Sequence, residues 1–235
     1  MGRAGGFPFD HSGGEEILAL WNRLWESRWT RLGLQVAAVV IALGILVAGA
    51  WGFYRVRESR GLAALAAATA LLPSEGLPAT PEARDRAIKA FEGVLTDYPR
   101  LSAAPQAAYQ LGNLKYAAGR YNEARAAFAL ALSRGASGTA ATMAGMGIGY
   151  AWEAEKKYAE GAAAYQAVAS RLGPKDFLFE EAVTAEARAQ EQAGKPAVAL
   201  ELYQRLLRDV PDSRQAEDLR NRVANLKSQT GAAKQ

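Results

Sequence analysis

The side chains that most often carry catalysis are scarce in this sequence. It has one histidine, His11, set among glycines, and no cysteine. An imidazole acid/base pair or a two-histidine metal site needs a second histidine, so neither is available. Without cysteine there is no thiol nucleophile, thiolate zinc site, iron–sulfur cluster or disulfide, and cysteine usage says nothing about compartment. The acidic pairs Glu180-Glu181 and Glu217-Asp218 are sequence neighbours. Adjacent residues on a helix point in different directions, so both pairs read as solvated faces. The run Gly145-Met146-Gly147-Ile148-Gly149 imitates a nucleotide loop. No strand precedes it and its context is helical, so small-residue packing is the better reading. The chain is therefore expected not to be an enzyme, with no catalytic residue, no metal site and no cofactor.

The 28 Lys and Arg against 24 Asp and Glu leave a net charge of +4 over 235 residues. That excess is mild and forms no basic stripe, so nucleic acid is not an expected partner.

What remains is architecture. Residues 32–54 form an uncharged run in which only Gln35 is strongly polar. As a helix this run reaches roughly 35 Å, slightly more than the ~30 Å hydrocarbon slab of a bilayer. A signal peptide has a shorter apolar core and a small-residue cleavage site, whereas this run ends in Trp51, Phe53 and Tyr54, followed by Arg55, Arg57 and Arg60. Such aromatics and cations suit the edge of a membrane. An uncleaved span over 32–54 is expected, with Trp51, Tyr54 and Arg55 at the interface. Ahead of it, Ile17, Trp21, Leu24, Trp25 and Trp29 recur at helical spacing. Residues 15–31 thus read as an amphipathic helix whose Trp21, Trp25 and Trp29 lie at headgroup level, or else pack on a partner. Residues 1–14 read as a disordered leader. Arg3, Arg23, Arg28 and Arg31 before the span nearly balance the three arginines after it, so charge bias leaves the orientation open.

The remaining residues repeat. Phe91, Phe128, Tyr165 and Tyr203 are spaced by 37, 37 and 38, and a helix stop follows each: Pro99, the glycines from Gly135 to Gly138, Gly173-Pro174, and Pro211. Within 107–132, Leu111-Gly112, Gly119, Tyr121, Ala124, Phe128 and Ala131 occupy the offsets of paired antiparallel helices: small residues for close approach, a turn glycine, and an aromatic plug. This segment resembles a tetratricopeptide repeat. Ile148-Gly149, Tyr158, Gly161, Tyr165 and Val168 repeat the scheme, as do Ala187, Gly194, Ala199 and Tyr203, with Pro196 in place of the turn aromatic. The first unit keeps Ala87, Phe91 and Pro99, its front helix at 58–72 being set apart by a loop at 73–81. The fold class expected is all-α: one transmembrane helix, then a tetratricopeptide-like α-solenoid over 55–227. Residues 218–227 would form a capping helix and 228–235 a disordered tail.

In such solenoids the front helix of each hairpin lines the concave side, where polypeptides bind. Opposite the packing set lie Gln106, Tyr109, Asn113 and Tyr116; Met143, Met146, Tyr150 and Glu153; and Glu181, Thr184, Arg188 and Glu191. These are the candidate partner-binding residues, unless Tyr109, Tyr150 and the two methionines merely complete the core. Asn113 matches the asparagine with which some tetratricopeptide proteins clamp a terminal carboxylate, but Tyr109 stands where the clamp has a cation, so that clamp is not expected. A short N-terminal segment, one span and a C-terminal solenoid together resemble the bacterial YfgM-like family, ancillary subunits of the Sec translocon. The resemblance implies an inner-membrane protein with its N-terminus in the cytoplasm and its solenoid in the periplasm. Its partners would be membrane lipid, translocon subunits, periplasmic chaperones and other proteins or peptides. The competing expectation is a structural subunit of a cell-envelope complex bound to one permanent partner.

Overall fold

The computed structural model describes residues 19, 28–72 and 80–232. Trp21, Trp25, the leader at 1–14 and the loop at 73–79 lie outside the described residues. Among the described residues all regular secondary structure is helical. The chain divides into two compact units, Met1–Val56 and Arg57–Gln235.

The first unit is dominated by helix α1, which runs Arg28–Thr69 and passes into the second unit. From residue 31 to 51 every side chain is exposed, and Ile45 is 67% accessible. Leucine, valine and isoleucine in a continuous exposed sleeve have no protein surface to bury against. By length and composition the helix is apolar enough to cross a membrane. Trp29 belongs to this helix, and the Arg55 guanidinium sits 4.6 Å above the ring of Trp51. Helix α1 runs on past the expected span at 32–54 without a break, and its last part is the front helix expected at 58–72, ending at Thr69; Ala-rich residues 63–68 carry strong helix propensity.

In the second unit, α2 (Pro81–Asp97) begins with Pro81 in its first turn, and the Thr80 hydroxyl accepts the Ala83 N–H at 3.2 Å. Then follow α3 (Ala103–Ala117), α4 (Tyr121–Ser133), α5 (Gly138–Ala154), α6 (Tyr158–Ala169), α7 (Phe179–Gln192), α8 (Pro196–Asp209) and α9 (Ala216–Ala232). Each of α2 to α8 packs on the next helix, and α3 also meets α5. The capping helix α9 buries Leu219, Val223 and Leu226 and continues to Ala232. The expected disorder from 228 onward is thus corrected for residues 228–232, which extend this helix.

Three buried columns explain the stacking. Ala87, Ala124, Gly161 and Ala199 are small and buried; Phe91, Phe128, Tyr165 and Tyr203 are the plugs; Val94, Ala131, Val168 and Leu206 seal the seams one turn later. The glycine run in α5 serves two neighbours. A Cβ at Gly145 would lie 2.5 Å from Val168, and one at Gly149 would lie 2.2 Å from the Tyr165 ring, both on α6. A Cβ at Gly147, on another side of the helix, would lie 2.6 Å from Phe128 on α4. Small-residue packing is what this motif does.

The turns of the second and fourth hairpins place glycine in the left-handed region: φ is 73° at Gly119 and 75° at Gly194. At the matching position of the third hairpin the residue is Lys156, with φ 61°. A non-glycine residue there carries a steric penalty of about 1–2 kcal/mol, partly offset by the greater unfolded-state freedom of glycine. Lys156→Gly should therefore stabilise the unit by roughly 0.5–1 kcal/mol, read as a higher urea midpoint with unchanged slope.

Glu186 on α7 occupies the register of Leu111 and Ile148 and is only 4% exposed. Burial pushes its carboxyl above the usual range, against an opposing pull from Arg205. A raised folded-state pKa means that protonation favours the folded form, so this site gains stability as the pH falls through that pKa. Glu186→Gln should stabilise the chain at pH 7 by about 1 kcal/mol. The difference from the parent chain should shrink on acidification, measured by urea unfolding at pH 7 and pH 5.

Candidate interaction surface on the front helices

The twelve front-helix candidates fall into four columns, because the three stripes superpose at the repeat spacing. One column is turned inward. Met146 is 3% exposed, and the Thr184 hydroxyl is buried without a hydrogen-bond partner. Tyr109 is half-buried, its ring 5.9 Å from that of Phe128. Met146 is therefore corrected: as a core side chain it cannot meet a partner, whereas Thr184 is partly buried with only its hydroxyl oxygen enclosed. The physical reason is that Met146 belongs to the buried cluster that contains Tyr165 on α6 and Val183 on α7, so this line of α5 is used up by the hairpin packed after it.

The other columns face outward but differ along the array. In the C-terminal half they are consumed by bonds between successive hairpins. Glu153 on α5 accepts the Tyr165 hydroxyl at 2.6 Å and is gripped from α7 by Arg188 at 2.9 and 3.3 Å. The next repeat builds the same clasp: Glu191 accepts both arms of Arg222 on α9, at 2.6 and 3.0 Å, beside Tyr203. Two parallel N–H to carboxylate bonds give these pairs directional strength. The hydrogen bonds that Arg188 donates to Glu153 hold its guanidinium well protonated, while burial and Glu153 together hold the Tyr165 hydroxyl in its neutral form. The Tyr150 hydroxyl donates to Glu181 at 2.6 Å, and its ring meets Tyr165 edge-on at 5.6 Å. Burial, then Glu181, raise its pKa.

One repeat earlier the corresponding places hold Tyr116, Phe128 and Tyr150, which cannot form this clasp. Gln106, Asn113 and Met143 are exposed there, with Tyr116 at the edge of Tyr121, rings 5.4 Å apart. This leaves a neutral patch of amide, aromatic and thioether groups, a mixture suited to polypeptide backbone and apolar side chains. Sequence reasoning missed the clasps, although Glu153 and Glu191 stand one repeat apart. It also missed Arg125 on α4, a buried cation 3.5 Å above the Trp152 ring, bonded to the Ala151 carbonyl at 3.2 Å and to Glu155 at 2.9 Å. Its partners are all internal, so this cluster locks α4 to α5. Lys115 likewise bridges Glu92 and Glu123, at 2.9 and 3.0 Å. Burial pulls its pKa down, but the two carboxylates outweigh burial and raise it. Among the described residues no three His, Asp or Glu side chains gather as a metal site would require.

Residues 185–213, from within α7 to beyond α8, match the tetratricopeptide repeat family model. No curated protein matches the chain. A crystal structure of a thermophilic tetratricopeptide-repeat protein from Thermus thermophilus aligns with 18% identity and a TM-score of 0.30, covering 72% of this chain and 98% of that one. The stacked helix pairs and the match over 185–213 give the described residues a tetratricopeptide-like all-α fold, and among them α1 is long and apolar enough to span a membrane.

Proposed function

We propose that the chain is a membrane-anchored scaffold for protein–protein interaction, an ancillary subunit of the translocon and periplasmic chaperone network. Helix α1 crosses the bacterial inner membrane, with the N-terminus in the cytoplasm and the helical repeats in the periplasm. Partner polypeptides lie on the neutral patch of Gln106, Asn113, Tyr116 and Met143. The observation that carries this reading is the contrast along one face: the C-terminal half spends its polar groups on Glu153–Arg188 and Glu191–Arg222, whereas the N-terminal half leaves large side chains uncovered. Anchoring raises the local concentration of whatever the patch holds.

A photo-crosslinking amino acid at position 143, in native membranes, should capture translocon subunits or exported chains, and the same group at the buried position 146 should not. Asn113→Ala with Tyr116→Ala should reduce adduct yield about tenfold. Adducts with one stoichiometric envelope protein alone would instead make the chain a structural subunit. A reporter fused after Gln235 that is active only in the cytoplasm would overturn the orientation.

A further inference from the structure

On a different side of α5 from Met143 and Tyr150 lies a cavity of about 530 Å³. Its walls come from Leu132 on α4, Ile148 on α5, Ala167 and Val168 on α6, and the loop that leads to α7. In that loop the Asp176 carboxylate accepts the Gly173 N–H at 2.6 Å. The same loop holds Phe177, on the cavity rim, 92% exposed. A phenylalanine kept in water at the lip of an apolar hollow gains nothing for the fold, and it supplies the contact a binding partner would cover.

The polar groups at the mouth define the partner's charge. Arg171 lines the cavity, and among the described residues no carboxylate pairs with it. The Asp176 carboxylate on the same rim accepts the Gly173 N–H through one oxygen and makes no ion pair with Arg171. Gly138 and Thr139, also in the lining, open α5, whose first turn contains no acidic residue and whose Ser137 side chain makes no cap. Unpaired backbone N–H groups and a free guanidinium at one apolar hollow favour an apolar group with an anion beside it.

We propose that this cavity is a second docking site, which takes an aliphatic or aromatic side chain of a partner polypeptide with an adjacent carboxylate on Arg171. The proposal rests on the reading of the chain as a protein-interaction scaffold and adds a site with its own specificity, distinct from the neutral front-helix patch.

The test uses the full chain in neutral lipid nanodiscs and two fluorescein-labelled twelve-residue peptides: one of leucine, phenylalanine and glutamate, the other with lysine for every glutamate. Fluorescence anisotropy should show binding of the acidic peptide only. Ala167→Trp, which fills the hollow from an exposed position on α6, should weaken it about tenfold or more, as should Phe177→Ala. Arg171→Glu should abolish acidic-peptide binding and admit the lysine peptide, with helical content unchanged. Equal binding of the two peptides, no binding of the acidic one, or indifference to Ala167→Trp would overturn the proposal. So would displacement of the peptide by phosphatidylglycerol vesicles whose own binding needs Arg171, because the site would then belong to lipid. Acidic-peptide binding lost with Asn113→Ala and Tyr116→Ala, but kept in Ala167→Trp, refutes the cavity and leaves the scaffold reading intact. Failure of crosslinking from position 143 with cavity binding preserved refutes the front-helix patch and leaves the cavity intact.

Discussion

Phe128→Ala is expected to cost about 3–5 kcal/mol, the range for deleting a fully packed aromatic. The ring is 1% exposed and stands where α3, α4 and α5 meet. It occupies the room that Gly112 and Gly147 leave, since a Cβ at either glycine would come within 2.6 Å of it. Neither helix can close over the vacated volume without breaking its register with the next, so a cavity persists. In a repeat array stability is close to a sum of unit and interface terms, so the loss should fall on one joint. Urea unfolding followed by circular dichroism should show the single transition splitting, with an early phase belonging to the residues around α3 to α5. Phe128→Leu, which keeps much of the volume, should lose less than half as much. A midpoint unmoved by Phe128→Ala would remove this ring from the core.

Gly149→Ala tests packing with a sign that propensity alone gives wrongly. In an open helix, alanine for glycine gains up to about 1 kcal/mol. At Gly149 the new methyl would lie 2.2 Å from a carbon of the Tyr165 ring. That ring is fully buried and its hydroxyl is fixed on Glu153, which Arg188 holds in turn, so it cannot swing aside. Overpacking of this kind costs about 1–3 kcal/mol. Gly93→Ala on α2, where nothing lies within 4 Å of the new atom, should instead stabilise the chain by about 0.5–1 kcal/mol. Opposite signs in the two variants, read from denaturant midpoints, are the required result; stabilisation by both would show that the seam between α5 and α6 is loose.

The hairpins were legible in the sequence because three columns, led by Phe91, Phe128, Tyr165 and Tyr203, recur at a spacing only a repeat explains. The length of α1 was not: arginines after Tyr54 mark where an apolar run stops, but charge does not end a helix, and the alanines beyond them carry it on. The front surface was half legible. Helical spacing groups Tyr109, Met146 and Thr184 into one column but does not say whether that column looks outward or into the next hairpin. That depends on how the following hairpin packs on each front helix, a tertiary quantity. The clasps were hidden for a related reason. Glu153 and Arg188 lie 35 positions apart, and only with one hairpin stacked on the next do they meet.

The two kinds of joint differ in what they allow. Directional bonds between charged groups resist rotation, because tilting one helix breaks the bidentate geometry at Arg188 or Arg222. Around Phe128 the charged fastening sits elsewhere: Arg125 pins α4 to α5, while Tyr116 and Tyr150 take the front-face places that Glu153 and Arg188 fill one repeat later. On the front face the side chains beside Tyr116 and Met143 are therefore left free to turn toward a guest, while those at Glu153 and Glu191 are already spoken for.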